Sequence, residues 1–254
     1  MITGERVTTP AGGFNPTWQR HVAAYEAAAR LLGPGRVVDL GAGVGHSFHL
    51  LAPRETVGVD VSGDALAGQA RETVVADMCD LPFGNGSFPS ALAVHSIEHV
   101  ADPERALAET ARVLEDGGTA VFVTPNRLTF GPPDEVVDPY HEREYDAREL
   151  AVLCRSAFRD VTVLGLFGSP RYLALVSAER RTLDRVLAAD ALRLRRAVPR
   201  AARRRLYDAA LTLSRRRADE AARAITPDDF RLAEGPLRDA LDLVAVCRAP
   251  RRPA

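Results

Sequence analysis

Through the first 125 residues, short apolar runs alternate with stretches whose apolar positions recur at helical spacing. Thr17 to Leu32 sets Val22, Tyr25, Ala29 and Leu32 on one face, and Gly33-Pro34-Gly35 stops it. Arg36 to Leu40 groups β-branched residues without alternation, as a strand buried on both faces does. Similar runs follow at Thr56–Asp60, Thr73–Ala76, Ala91–Val94 and Thr119–Val123. Between the last two, Asp102 as cap, Pro103 in the first turn and a stripe of Ala106, Leu107, Thr110, Val113 and Leu114 predict a helix ended by Gly117-Gly118. Asp146 and Glu149 form a capping-box pattern ahead of Leu150, Leu153, Cys154 and Phe158. Strands are expected at Asp160–Phe167 and Leu241–Val246, while Leu173–Ser177 fits either a strand or the start of a helix. Strands alternating with helices predict right-handed βαβ units and a parallel sheet, the doubly wound, Rossmann-like α/β class.

Composition divides this picture at about residue 170. The total is nearly neutral, with 33 basic and 34 acidic residues, but residues 1–170 carry −10 and residues 171–254 carry +9. All 33 bases are Arg, which excludes a lysine nucleophile or Schiff base. Roughly 178–226 is Arg- and Ala-rich at helical spacing (Leu183, Val186, Leu187, Leu194, Leu206, Ala210, Leu213). The expectation is one domain over 1–254: a ligand-binding core at 14–170, a helical lid-like insertion at 178–236, and a last strand at 241–247. No apolar run approaches the roughly 18 residues of a membrane span. Met1 to Phe14 lacks the apolar core of a signal peptide, and Cys79, Cys154 and Cys247 are odd in number without a CxxC. A cytoplasmic, reduced protein is therefore expected.

The chemistry begins at Val37–Gly45, VVDLGAGVG, where a strand runs into a glycine-rich turn and then a helix. Gly41 and Gly43 permit torsions and close approach that a Cβ would block, and a helix N-terminus offers free N–H groups to a nucleotide-like or carboxylate ligand. The same turn also occurs as plain structure. Its spacing is G-x-G-x-G, and Asp39 just ahead would repel a phosphate, which counts against a nicotinamide oxidoreductase. Asp39 suits an ammonium or hydroxyl-rich ligand better. Asp60, ending the second strand, is placed to accept two ribose hydroxyls, with Ser62 left as the helix cap. Asp77 suits an adenine amino group, with Met78 and Leu81 against the base.

The ordered blocks VVDLGAGVG, VGVDVS, ADMCDLPF, SIEHV and ADPERALAETARVLEDGGTAVFVTPN resemble the class I S-adenosylmethionine-dependent methyltransferases. They are most similar to the small-molecule branch that includes the ubiquinone-biosynthesis O-methyltransferases. The resemblance implies a seven-stranded sheet with an antiparallel last strand, S-adenosyl-L-methionine as cofactor, and methyl transfer to a small-molecule hydroxyl. By the same resemblance Asp39, Gly41, Ala42, Gly43 and Gly45 meet the methionine end, Asp60 and Val61 the ribose, and Asp77 and Met78 the adenine. Arg20 or His21 on the leading helix would close over the cofactor, and His95 is a further cofactor-binding candidate in the turn after the fourth strand. Two positions depart from the pattern. Phe88-Pro89 replaces Phe-Asp, an edge change, and His95-Ser-Ile-Glu98-His99 replaces acid-x-x-Glu-His, a string associated with a divalent cation. The change from acid to His argues against magnesium, and no metal is expected.

His95, His99 and His141 are the candidate bases, since a neutral imidazole removes a hydroxyl proton near pH 7. His95-x-x-Glu98-His99 also matches an inverted zinc-protease string, but that needs one helix carrying both His, where a strand end is expected. Glu98 and His99 could simply shape the turn. His141 lies near Tyr140, Arg143 and Tyr145 in the long segment 125–145, either in a functional loop or as an exposed loop His. The Arg-rich insertion reads as a solvated face, a clamp for an anionic substrate, a lipid contact or an RNA contact. Few aromatics argue against nucleic acid, and a lid over substrate is the expectation. The competing expectation is a non-catalytic binder of the cofactor or of nucleic acid.

Overall fold

The computed structural model describes residues 15–130, 138–177, 202 and 220–251. Eight strands form one sheet: β1 (Val37–Leu40), β2 (Thr56–Asp60), β3 (Glu72–Val75), β4 (Phe88–Val94), β5 (Leu114–Pro125), β6 (Phe158–Gly168), β7 (Phe230–Ala233) and β8 (Asp242–Pro250). Their order is β3-β2-β1-β4-β5-β8-β6-β7. The first five are mutually parallel, whereas β8 pairs antiparallel with both β5 and β6. The Rossmann-like class and the antiparallel final strand agree with the sequence reading; the strand count of seven does not. The extra strand, β7, pairs antiparallel with β6 on the sheet edge, inside the stretch assigned to a helical insertion. Phe230 and Leu232 alternate over only four residues, too few to stand out as a period.

Two apolar cores lie on opposite faces. Val38 and Leu40 face one side with α3 (Pro103–Val113), α5 (Ala147–Ala157), Phe88, Phe122 and Phe158. Val37 faces the other with α1 (Asn15–Leu31), Leu92, Val121 and Val244. All four residues of β1 are buried, as its unalternating composition requires. The caps read from sequence are present: the Asp102 side chain accepts from Arg105 N, and Asp146 and Glu149 form a reciprocal capping box.

Two local expectations are corrected and one open alternative is decided. The helix α3 ends at Val113, ahead of Gly117-Gly118, because Leu114 already pairs with Phe88. Residues 173–177 continue a helix that starts at 170. The helix expected beyond Gly45 is one 3-10 turn, Phe48–Leu51, with Pro53 close behind to stop it. Besides these, α2 (Gly63–Leu66) and α4 (Arg127–Phe130) are single turns. No helix among the described residues is long and apolar enough to cross a membrane. Every Arg of the runs at 193–205 and 215–217 lies outside the described residues, as does 131–137.

Candidate functional site

Strand order reverses between β1 and β4, and the carboxyl ends of parallel strands at such a point open a crevice. A cleft of about 510 Å³ lies there, lined by Gly41, Ala42, Gly43, Asp60, Val61, Asp77, Met78, His95 and His99 among others. Each residue arrives from a strand end: Gly41 follows β1, Asp60 closes β2, and His95 follows β4. The glycine turn is held from beneath by Ala42 N donating to Val59 O (2.9 Å).

The two leading glycines act differently. Gly41 has φ +70°, and a Cβ there would come 2.4 Å from the Ser96 Cβ. Gly43 has φ +53°, yet a Cβ there would meet nothing within 4 Å. Gly41 therefore allows the turn to pack on Ser96, whose hydroxyl donates to Leu40 O at 3.0 Å, while Gly43 leaves room for a ligand. Asp60 is oriented by two backbone donors, Gly43 N to Oδ2 and Ser62 N to Oδ1, both 2.9 Å. Asp77 is exposed and accepts from Cys79 N (2.8 Å), and Met78 is buried beside it.

Three assigned residues have other employment. Asp39 is fully buried, paired with Arg71 at 2.8 Å and accepting from the Tyr25 hydroxyl at 3.2 Å. Burial pushes its pKa up, opposed by the Arg71 guanidinium, and it does not line the cleft. Its position explains this: Asp39 alternates with Val38 and Leu40 and so faces α1. Arg20 is spent on Asp242 and on Leu241 O, to which it donates at 2.7 Å. Gly45 (φ +67°) is a packing position, since a Cβ would strike the Gln69 side chain at 2.2 Å. His21, the alternative to Arg20 on α1, does line the cleft.

The histidines form two groups. His21, His46 and His95 gather at the cleft wall, with ring centroids of His21 and His95 4.3 Å apart and His21 and His46 5.8 Å apart. Burial and mutual repulsion hold His21 well below the ordinary imidazole value and His46 at about 4. His95 has φ +51°, a conformation rare outside glycine, and its Nε2 lies 3.1 Å from Asp242 Oδ1. The second group is His99 and His141, centroids 5.0 Å apart. His99 reaches the cleft; His141 lies behind it, buried, with Nδ1 2.9 Å from Glu144 Oε1. Burial opposes a charge on His141, but Glu144, Glu98 and Asp138 outweigh it and raise its pKa. The exposed-loop alternative for His141 is thereby overturned. The segment 138–145 docks here because Glu142 N and Arg143 N both donate to Glu98 O, at 2.8 and 3.1 Å.

His46 and Asp242 escaped the sequence reading. His46 stood directly after G-x-G-x-G and could have been flagged by adjacency. Asp242 carried no local signal: its partners are 222 residues away in Arg20 and on another strand end in His95. The single-helix string His95-x-x-Glu98-His99 is also dissolved, because His95 follows the end of β4 and residues 97–99 form one 3-10 turn.

Comparison with known proteins adds chemistry to this geometry. The family model described as a methyltransferase domain matches residues 38–122. A probable S-adenosylmethionine-dependent methyltransferase of Mycobacterium tuberculosis is 34% identical over 67% of this chain; the chain spans 65% of that protein's length. A protein of Mycolicibacterium smegmatis with the same description is 31% identical over 98% of this chain and 95% of its own. Among solved structures, an S-adenosylmethionine-dependent methyltransferase of Thermotoga maritima, described as a possible histamine N-methyltransferase, superposes with a TM-score of 0.62. It is 19% identical, over 93% of this chain and 92% of that one, a likeness of fold.

Proposed function

Because the chain belongs to the S-adenosylmethionine-dependent methyltransferases, we propose that it methylates a hydroxyl oxygen of a small molecule, with His95 as the base. The cofactor fits the residues present. Gly43 leaves a cradle that a Cβ would enter, Asp60 is preset by two backbone N–H groups at the cleft wall, and Met78 gives an apolar wall. By this reading Gly41 to Gly43 hold the methionine end, Asp60 and Val61 the ribose, and Asp77 and Met78 the adenine. When bound, S-adenosylmethionine supplies a methyl group already activated on a sulfonium.

The observation that carries the oxygen acceptor is the His95–Asp242 pair at the cleft wall. Asp242 is completely buried, and Arg20 and His95 hold its carboxyl well below the usual range despite burial. The Asp242 carboxylate, 3.1 Å from Nε2 but outside hydrogen-bond geometry, acts on that nitrogen as a charge and favours its proton, leaving Nδ1 to take a hydroxyl proton. An amine acceptor would need such a base less. His21 and His46 stay neutral beside it, so the wall adds no positive charge against a cationic cofactor. Two relatives support a small-molecule acceptor: a tocopherol O-methyltransferase of Arabidopsis thaliana, 30% identical over 125 residues, and a demethylmenaquinone methyltransferase of Thermus thermophilus, 33% identical over 176.

The test uses isotope-labelled S-adenosylmethionine with fractionated hydroxylated and aminated metabolites. Label in an ether product is expected. His95→Gln should lower the rate by roughly 10²–10⁴-fold while leaving affinity for the demethylated cofactor intact. An N-methyl product, or an unchanged rate in His95→Gln, sinks the reading.

A further inference from the structure

Glu98, His99 and His141 bring one ligand atom each to within 4.8 Å of one another, at the side of the cleft where His99 is exposed to it. We propose that these three side chains bind a divalent first-row transition ion of the zinc type.

The rings are preset for it. His99 Nδ1 lies 3.0 Å from Tyr140 O, and a carbonyl only accepts, so Nδ1 carries the proton and Nε2 keeps its lone pair. His141 Nδ1 lies 2.9 Å from Glu144 Oε1, which fixes the same tautomer for a metal-bound ring. An acceptor behind each imidazole is how proteins orient metal-binding histidines and strengthen them as donors. Both acceptors come from the segment 138–145 that Glu98 O anchors, so one backbone docking event assembles all three ligands.

The charge balance calls for a cation as well. Glu98 is 1% exposed; its Oε2 accepts from Thr124 Oγ1 at 3.0 Å, while Oε1 has no hydrogen-bond partner. Glu144 is 3% exposed, and its Oε2 is unpartnered too. Buried carboxylate oxygens without donors are costly; a dication on Glu98 offsets that cost directly, and through the His141 ring it balances the charge of Glu144 behind it. Two imidazoles and one carboxylate suit zinc or its neighbours, whereas magnesium and calcium prefer oxygen throughout. Three protein ligands leave a coordination position open, and the cleft beside His99 is where it would face. His95 takes no part, being held by Asp242. That the open position would hold the acceptor hydroxyl rests on the proposed O-methyl transfer; binding of the ion does not.

The full chain, stripped by chelator, should take up one equivalent of Zn²⁺ by calorimetry. With Co²⁺ it should develop visible d–d bands of a nitrogen and oxygen site, without thiolate charge transfer. His141→Asn should abolish stoichiometric binding, and Glu144→Gln should weaken it by about 10–100-fold. His49→Asn, an exposed histidine outside the cleft, should bind as the wild type does. X-ray absorption of the zinc-loaded wild type should show imidazole scattering and needs no variant to fold. Absence of one-to-one binding, thiolate bands, no imidazole scattering, or equal loss in His49→Asn overturns the site. Zinc binding without methyl transfer to a hydroxyl upholds the site and removes only the acceptor reading.

Discussion

At the scale of single residues, the glycine turn separates two roles that one motif conceals. Both Gly41 and Gly43 sit at positive φ, where an L side chain costs roughly 1–2 kcal/mol. At Gly41 the backbone cost adds to a 2.4 Å collision with Ser96, so Gly41→Ala must displace the turn from the end of β4. At Gly43 the added methyl meets no protein atom and enters the cleft. Gly43→Ala should therefore lose only about 1–2 kcal/mol of stability but most of its cofactor affinity, whereas Gly41→Ala should lose substantially more stability. Thermal unfolding and calorimetry with the demethylated cofactor check this; equal unfolding shifts would refute the division. The turn, Asp60, Asp77 and Met78 were legible because each follows a strand whose composition marks its end. Asp39 misled for a related reason. Its proximity to the glycines said nothing of which sheet face it occupied, and the period of two along β1 turns it toward Tyr25 and Arg71.

Among elements, legibility followed the strength of local rules. The helices α3 and α5 announced themselves through caps and apolar stripes, and both caps are formed. The edge strand β7 did not, because its register is set by Phe167 and Leu166 across the sheet and not by its own four residues. Cap strength can be measured at α5. Asp146 accepts from Glu149 N at 2.9 Å, Glu149 returns the bond to Asp146 N, and Arg127 from α4 donates to both carboxylates. Asp146→Ala should cost about 0.5–2 kcal/mol in urea unfolding, at the upper end because Arg127 loses one partner. Asp146→Ser, which keeps an accepting oxygen, should recover most of it. If Ser and Ala unfold alike, the cap is not what stabilises α5.

For the whole molecule, the long-range contact that matters is the clamp of Arg20 and His95 on Asp242, which ties α1 to β8 and to the end of β4. Arg20 and Asp242 do not themselves line the cleft, so they hold its wall from behind His95, which does. Acid should open it in two stages. His46 is held at about 4 against an ordinary 6.5, chiefly by burial, so the unfolded chain binds that proton first. Stability contributed by its neutrality is complete above pH 6.5 and falls as pH drops toward 4, and His21, lowered in the same sense, adds to the slope. Asp242 is depressed below its ordinary 3.8, so its contribution is intact above pH 4 and is lost only below that. Melting temperature should therefore fall already between pH 6.5 and 4, where both histidines contribute, and go on falling below about 4 as Asp242 takes over from His46. His46→Gln should flatten the upper limb and leave the lower one. Asp242→Asn should destabilise already at pH 7, by about 3–5 kcal/mol for a broken buried pair, and show a shallower acid limb. It should also weaken cofactor binding from a distance, because α1 carries His21 and Tyr25 into the cleft wall. An Asp242→Asn protein with wild-type affinity and an unchanged acid limb would mean that the clamp does not hold the site.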